Sequence, residues 1–339
     1  MKDILLSIIV PVYNVESYLR ECLDSFYDQI LSENEYEIIC VNDGSTDGSA
    51  GILDEYALRH GNMHVYHQKN AGVSAARNVG LDHAVGKYVW FVDADDFIAM
   101  DCLSRLSSVL KTKQPDLLFV LPIAFEDGTD TSGFHMPNVP RDESSATYEK
   151  WLWTRLYRRQ IIIGSGVRFE TGLGFAEDNL FCAMLRPFTE NETKTDSVAY
   201  FYRRRNGSVS GTPTKNKMDL LIHACTVFMC SAKTGKITRE DAAFIICPTM
   251  IAVMSNIAVM PHREARRWLR IVRDEDLFPL KREYRNRQSC CTKGLSTGEC
   301  IQKKLKYRSY SIPGYSMLKV FRLIMKITRR IKSKVKKDI

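Results

Sequence analysis

The ten cysteines of this chain include no CxxC pair and no evenly spaced framework, which argues against a disulfide scaffold. Several lie inside apolar runs (Cys40, Cys182, Cys225, Cys247) and read as small buried hydrophobes of a reducing compartment; the adjacent Cys290 and Cys291 are the exception. The seven histidines form no ligand cluster. No GxGxxG follows the first apolar run, where a dinucleotide-binding fold needs its glycine-rich turn, and "VGKYVW" lacks the rest of a Walker A loop. There is no internal repeat and no low-complexity tract. The opening "MKDILLSIIVPVYN" lacks the marks of a signal peptide: Asp3 precedes its apolar stretch, Pro11 cuts it short, and no small-residue cleavage site follows. It reads as the first strand of a cytoplasmic protein. Residues 242–260 carry no charge, but Pro248, Thr249, Ser255 and Asn256 dilute them; a buried helix is expected there, with a membrane-dipping hairpin as the alternative.

Acid is nearly missing from the end of the chain. From residue 301 onward thirteen Lys and Arg face only Asp338, so +12 of charge sits there and the remainder of the +8 total, −4, belongs to everything before. Within that tail Met317, Val320, Phe321, Ile324, Ile331 and Val335 recur at helical spacing among Lys319, Arg322, Lys326, Arg329, Arg330 and Lys332. A basic amphipathic helix of this kind lies on an anionic membrane, each basic residue contributing on the order of 1 kcal/mol. Nucleic acid shares the electrostatics but has no use for the apolar stripe, so no nucleic-acid partner is expected.

What the chain does have is a core. Its 339 residues are 45% apolar, enough for one large core and a second, smaller unit. Apolar β-branched runs alternate with helical patterns: residues 4–12, then "VESYLRECLDSF", "YEIICVND", "STDGSAGILDEYALRHG", "MHVYHQ", "VSAARNVGLDHAVG", "KYVWFVDAD", "MDCLSRLSSVLKTK" and "PDLLFVLPIAF". Such alternation predicts a parallel sheet covered on both faces. Residues 126–147 are polar and read as a loop or lid. Helix-like signals follow at "YEKWLWTRLYRRQII" and "AEDNLFCAMLRPF", and "DSVAYFYRRR" returns to strand. Beyond about residue 213 the pattern turns helical.

Two predicted strands end in acids: Asp43 after "EIICV", and Asp93 and Asp95 after "YVWFV". On a strand, residues two apart share a face with α-carbons roughly 6.5 Å apart. Two carboxylates at that spacing repel by about 2.5 kcal/mol at an effective dielectric of 20, a conflict that a divalent cation removes. All-oxygen ligation suits Mg²⁺ or Mn²⁺ held together with substrate phosphates. The plain alternative is that Asp95 or Asp96 caps the following helix. Asp43 stands where a carboxylate can accept from a base or ribose, and "GST" after it suits a turn equally well.

"SIIVPVYN", "VNDGSTDGS", "NAGVSAARNVGL" and "GKYVWFVDADD", in this order, resemble the family 2 glycosyltransferases of bacterial capsule, O-antigen and exopolysaccharide synthesis. The likeness covers about residues 1–210, and "WTRLYRRQII", "AEDNLF" and "YRRRNGSVS" carry it through the later half. It implies the GT-A fold, an α/β Rossmann-like, mostly parallel sheet with helices on both faces, followed here by a helical C-terminal region. The domain expected is 1–212, with a donor half to about 125 and an acceptor half over 126–212, then helical 213–300 and the tail 301–339. The resemblance implies a nucleotide pocket walled by Pro11, Val12 and Tyr13, with Asp43 on the base, usually uracil. Asp95 would ligate Mn²⁺ or Mg²⁺ under the diphosphate, with Asp93 nearer the ribose or the metal's surroundings. Arg77 would face the donor phosphate, a surface salt bridge one helical turn away being the other reading. Inverting transfer needs a base, and the resemblance assigns it to Asp178 of the Glu177–Asp178 pair; acids also suit any first helical turn. Ala176 stands where many members of the family have Gly. Trp151 and Trp153 offer either sugar stacking or packing, and Arg203, Arg204 and Arg205 either reach anions or face solvent.

The implied partners are a nucleotide-sugar donor, a glycan or lipid-linked acceptor, and the inner face of the cell membrane. Two alternatives remain: a non-catalytic glycan- or membrane-binding scaffold, and a sugar nucleotidyltransferase, which would want a glycine-rich basic loop where "PVYN" stands.

Overall fold

The computed structural model describes residues 4–130, 151–205 and 218–239, and single positions beyond them: 241–243, 246, 249, 250, 253, 257, 267 and 271. The basic tail 301–339 and most of the expected loop or lid over 126–147 lie outside the described residues. The chain divides into two compact units, Met1–Val209 and Ser210–Ile339.

In the first unit the strands are β1 (Leu6–Val12), β2 (Tyr36–Asn42), β3 (Met63–His67), β4 (Tyr88–Phe91), β5 (Phe97–Ile98), β6 (Leu117–Glu126), β7 (Arg155–Arg158) and β8 (Glu192–Arg204). Between them run α1 (Glu16–Tyr27), α2 (Ser49–Arg59), α3 (Val73–His83), α4 (Cys102–Lys113), α5 (Arg159–Ser165) and α6 (Glu177–Leu185). The strands form one sheet in the order β3-β2-β1-β4-β7-β6-β8-β5. Successive side chains of a strand point to opposite faces, so β1 feeds two cores. Ile8, Val10 and Val12 join Leu19, Leu23 and Phe26 of α1, Leu53 of α2 and Leu106 of α4. Ile9 joins Ala76 and Leu81 of α3 and Phe181 and Leu185 of α6 on the other face. Burial on both faces is why the strands read as continuous apolar runs.

The contact of α3 with β1 is close enough to require glycine. A Cβ on Gly80 would stand 2.3 Å from Ile9 Cγ2, so the helix lies directly on the sheet and its first turns are held beside the strand ends.

The expected parallel sheet is mixed. β1 is parallel to β2 and β4, β2 to β3, and β6 to β8. β7 runs antiparallel to both β4 and β6, and β5 antiparallel to β8. Antiparallel neighbours need no crossover helix between them. The helix-like spacing of "YEKWLWTRLYRRQII" resolves into a 3₁₀ turn (Leu152–Thr154), then β7, then α5 from Arg159. Pairing with β4 on one side and β6 on the other holds this stretch extended and overrides its local spacing.

In the second unit α7 (Met218–Lys233) buries Met218, Leu221, Ile222, Cys225, Phe228 and Met229. Thr238 and Asp241 then cap a helical segment reciprocally: the Asp241 N–H donates to Thr238 Oγ1 (3.1 Å), whose hydroxyl donates to Asp241 Oδ2 (2.7 Å). Ala242, Ala243, Ile246, Thr249, Met250, Val253 and Ile257, the described positions of the uncharged stretch, are all buried. Among the described residues no helix is long and apolar enough to cross a membrane.

Candidate active site

β1 lies between β2 and β4 with all three parallel, so their carboxyl ends open on one side. The chain moves outward to β2 and β3 on one flank and resumes at β4 on the other, the switch point at which α/β sheets hold ligands.

The loops leaving β1 and β2 are clipped together. Asn14, in the left-handed region at φ 51, accepts the Thr46 N–H at Oδ1 (2.8 Å), and its own N–H donates to Ser45 Oγ (3.1 Å). The Gly48 N–H donates to Glu16 Oε2 (2.7 Å). These bonds hold Pro11, Val12 and Tyr13 in place. Val12 points into the core, and its carbonyl accepts the Asp43 N–H (2.8 Å), so it offers an adjacent ligand backbone at most. Tyr13 is 48% exposed and presents a ring.

Asp43 is buried and occupied. Oδ1 accepts from Gln68 Nε2 (2.7 Å) and the Ala71 N–H (2.8 Å), and Oδ2 accepts the Gly72 N–H (2.8 Å). A carboxylate has about four lone-pair sites, so three are used to shape the 68–72 loop that leads into α3.

β4 delivers the acids. Asp93 and Asp95 keep side chains 31% and 21% exposed. Asp96 turns the other way: Tyr200 donates its hydroxyl to Asp96 Oδ2 (2.7 Å), and the Arg203 N–H donates to Oδ1 (2.7 Å). The capping alternative is therefore corrected. β5 rather than a helix follows Asp96, and its carboxylate pins β8 to the turn. Burial, then Asp95 and Asp93, push the Asp96 carboxyl well above its ordinary value. Burial and Asp93 raise Asp95 as well, against the opposing charge of Arg205.

Among the described residues no three His, Cys, Asp or Glu side chains cluster to hold a metal by themselves. Asp93 bonds through Oδ1 and Asp95 through Oδ2, leaving Asp93 Oδ2 and Asp95 Oδ1 without a described protein partner. Two half-open, mutually repelling carboxylates fit a hard divalent ion whose other ligands are water and phosphate.

Arg77 connects Asp93 to Glu177, the neighbour of the expected base. From α3 it reaches Asp93 Oδ1 with one fork nitrogen (3.0 Å) and Glu177 Oε1 with the other (2.9 Å), over the ring of Phe169 at 5.5 Å. It is buried, and its Nε has no partner. Burial opposes the charge, but Asp93 and Glu177 outweigh it and the net shift of Arg77 is upward. Neither sequence expectation for Arg77 anticipated this: its fork is turned to two carboxylates, and its partners lie 16 and 100 residues away rather than one turn along a helix.

α6 starts at Glu177, preceded by Ala176 at φ 61. A left-handed Ala costs about 1–2 kcal/mol; the chain tolerates that strain at the point where the acidic pair is aimed. Asp178 Oδ1 accepts from the Asn179 N–H (2.8 Å) and Nδ2 (2.9 Å). Burial first, then Glu177, raise Asp178 to about 6, with Arg77 opposing. A carboxylate poised there is ionised at neutral pH yet basic enough to take a proton.

Sequence reasoning left the three arginines of β8's end unsorted; alternation sorts them. Arg203 points in, with Nε donating to the Asp95 carbonyl (2.9 Å), one fork nitrogen to Asp127 (3.3 Å) and the other to Glu21. Arg204 is half exposed beside Glu126. Arg205 returns to the site, its Nε donating to Asp95 Oδ2 at 2.6 Å. Tyr200 was missed; its hydroxyl also accepts the Asp93 N–H (3.1 Å). Trp153 is packing, stacked on Tyr200 and Tyr202 at 4.7 and 5.0 Å, whereas Trp151 is 36% exposed.

Comparison with known proteins bears on this arrangement. The chain is 34% identical over 227 residues to EpsJ of Bacillus subtilis, named an uncharacterized glycosyltransferase; the match spans 63% of this chain and 65% of EpsJ, just under two thirds of that relative. Among solved structures, residues 1–349 of S. aureus TarS in complex with UDP-GlcNAc superimpose with a TM-score of 0.68 at 20% identity, over 96% of this chain and 92% of that one. A mannosyltransferase from Pyrobaculum calidifontis in complex with GDP-Man and Mn²⁺ matches at TM-score 0.50 and 18% identity, over 94% and 85%. The likeness to TarS is one of fold, and with the mixed sheet covered on both faces it makes the first unit a GT-A domain. The family model described as "Glycosyl transferase family 2" matches residues 7–178, just over half of the chain and every carboxylate from Asp43 to Asp178 named above, so the chain belongs to glycosyltransferase family 2.

Proposed function

We propose that this chain transfers a sugar, with inversion, from a nucleotide-sugar donor to a glycan or lipid-linked oligosaccharide in cell-surface polysaccharide synthesis. The donor favoured is a UDP-sugar. The observation that supports the reading is the Arg77 bridge, which joins Asp93 of one acidic pair to Glu177 of the other through one guanidinium. UDP-GlcNAc in TarS and GDP-Man with Mn²⁺ in the archaeal mannosyltransferase support a nucleotide sugar and a divalent ion.

Asp95 and Asp93 would hold Mn²⁺ or Mg²⁺, which when bound with the donor neutralises charge on the departing diphosphate. Tyr13 and the 68–72 loop organised by Asp43 would bound the nucleotide. Asp178 accepts the proton of the attacking acceptor hydroxyl as its oxygen bonds to the anomeric carbon. The bond from that carbon to the diphosphate oxygen breaks on the opposite face, and its electron pair leaves with the nucleoside diphosphate. The basic amphipathic pattern of 301–339 supports a peripheral place on the inner membrane face, where a lipid-linked acceptor would be presented.

The test is UDP release from UDP-sugars by the full chain in Mn²⁺, followed from pH 5 to 8. Asp178 must be ionised to act, and burial holds it at about 6. The rate is expected to be level above pH 7 and to fall about tenfold per unit below pH 6. A rate independent of pH down to 5, or no release from any nucleotide sugar, contradicts the assignment.

A further inference from the structure

Two arginines two residues apart at the end of β8 hold the same aspartate in different ways. Arg203 is buried and bound to the Asp95 carbonyl, Asp127 and Glu21. Arg205, 30% exposed, has one polar contact among the described residues, the 2.6 Å bond from its Nε to Asp95 Oδ2. Its guanidinium lies over the Tyr18 ring at 5.4 Å, and Tyr18 is fixed by donating its hydroxyl to Asp127 Oδ2 (2.9 Å). A ring of this kind holds a partly exposed cation only weakly. Arg203 is thus anchored, while among the described residues Arg205 is paired at one atom, its Nε, and not through the terminal nitrogens of its fork.

We infer that Arg205 is the resident counter-ion of Asp95, displaced by the divalent cation and taken up by the donor diphosphate, so that metal and nucleotide bind cooperatively. The inference rests on the reading of Asp95 as a metal ligand. A divalent ion on Asp95 draws the carboxylate's charge to itself and repels the guanidinium on the same group, so it weakens the Arg205–Asp95 bond. Metal alone leaves the loosened Arg205 with water as its partner. Metal arriving with a diphosphate gives the freed fork a partner that suits it, two oxygens in one plane. Coupling of this kind is reciprocal: nucleotide tightens metal as much as metal tightens nucleotide.

The experiment uses the full chain and Arg205→Met, which keeps the stem over Tyr18 and removes the charge. Binding of Mn²⁺ alone is read from the free-ion paramagnetic resonance signal, and binding of UDP in saturating Mn²⁺ by calorimetry. Removing the competitor is expected to tighten Mn²⁺ alone by about three- to tenfold and to weaken UDP by a similar factor, opposite signs that mere loss of structure does not give. Adding Asp95→Asn to Arg205→Met is expected to abolish the gain in Mn²⁺ affinity. Unchanged or weaker Mn²⁺ binding in Arg205→Met, unchanged UDP binding, or a gain that survives Asp95→Asn overturns the exchange. If the unmodified chain binds UDP equally with and without Mn²⁺, the metal reading itself fails, and the inference with it.

Discussion

Asp178→Asn is expected to lower kcat for sugar transfer by about 10³-fold, the usual scale for losing a general base, while Mn²⁺-dependent UDP affinity stays within about twofold. The substitution is nearly isosteric, and an amide oxygen can still accept the two Asn179 bonds that orient the group. What disappears is the capacity to take a proton. The pH dependence below 6 should vanish with it, because the titrating group is gone. Initial rates and calorimetry on the same preparation decide the matter. A variant that retains a tenth or more of the rate means that another group carries the proton, and one that loses UDP binding means that Asp178 supports the donor side instead.

Arg77→Met is expected to damage both stability and chemistry. The side chain is buried between Asp93 and Glu177. Breaking a buried pair by removing one partner costs about 3–5 kcal/mol, which partial exposure of the two acids reduces to about 2 kcal/mol here. Chemical denaturation reads that loss directly. The second consequence is more specific. Arg77 is the charge that opposes the upward shift of Asp178, so its removal is expected to move the midpoint of the pH–rate profile above 6. A variant as stable as the parent, or one with an unmoved midpoint, contradicts the bridging role.

These effects also mark what could be read without a structure. The acids at the ends of β2 and β4 were legible because each follows an apolar run whose period fixes where it ends, and because Gly, Ser and Thr after Asp43 announce a turn. Their partners were not legible. Asp96 finds Tyr200 and Arg203 more than a hundred residues later, and nothing local distinguishes that use from a helix cap. Arg77 looked like a residue for phosphate or for a surface pair; the helix that carries it is pressed onto β1 at Gly80, which aims it at the strand ends instead. The two strands that escaped prediction, β5 and β7, are two and four residues long. Segments that short owe their form to the neighbours they pair with rather than to their own pattern. Arg203 and Arg205 could have been separated from Arg204 by the two-residue period of β8, but which face meets the site depends on β8 lying beside β6 and β5.

On the proposed reading, an apolar strand aims Asp93 and Asp95 at a metal diphosphate. Calorimetric titration of UDP into the full chain, with and without Mn²⁺, on the unmodified protein and on Asp95→Asn, tests it most directly. The expected result is binding that requires Mn²⁺ and weakens by about tenfold or more in the variant, the scale on which a metal site responds to loss of its carboxylate support. If UDP, GDP and dTDP all fail to bind in Mn²⁺-containing buffer, or if Asp95→Asn binds UDP as the unmodified chain does, the pair is not a donor site and the account of the enzyme built on it is wrong.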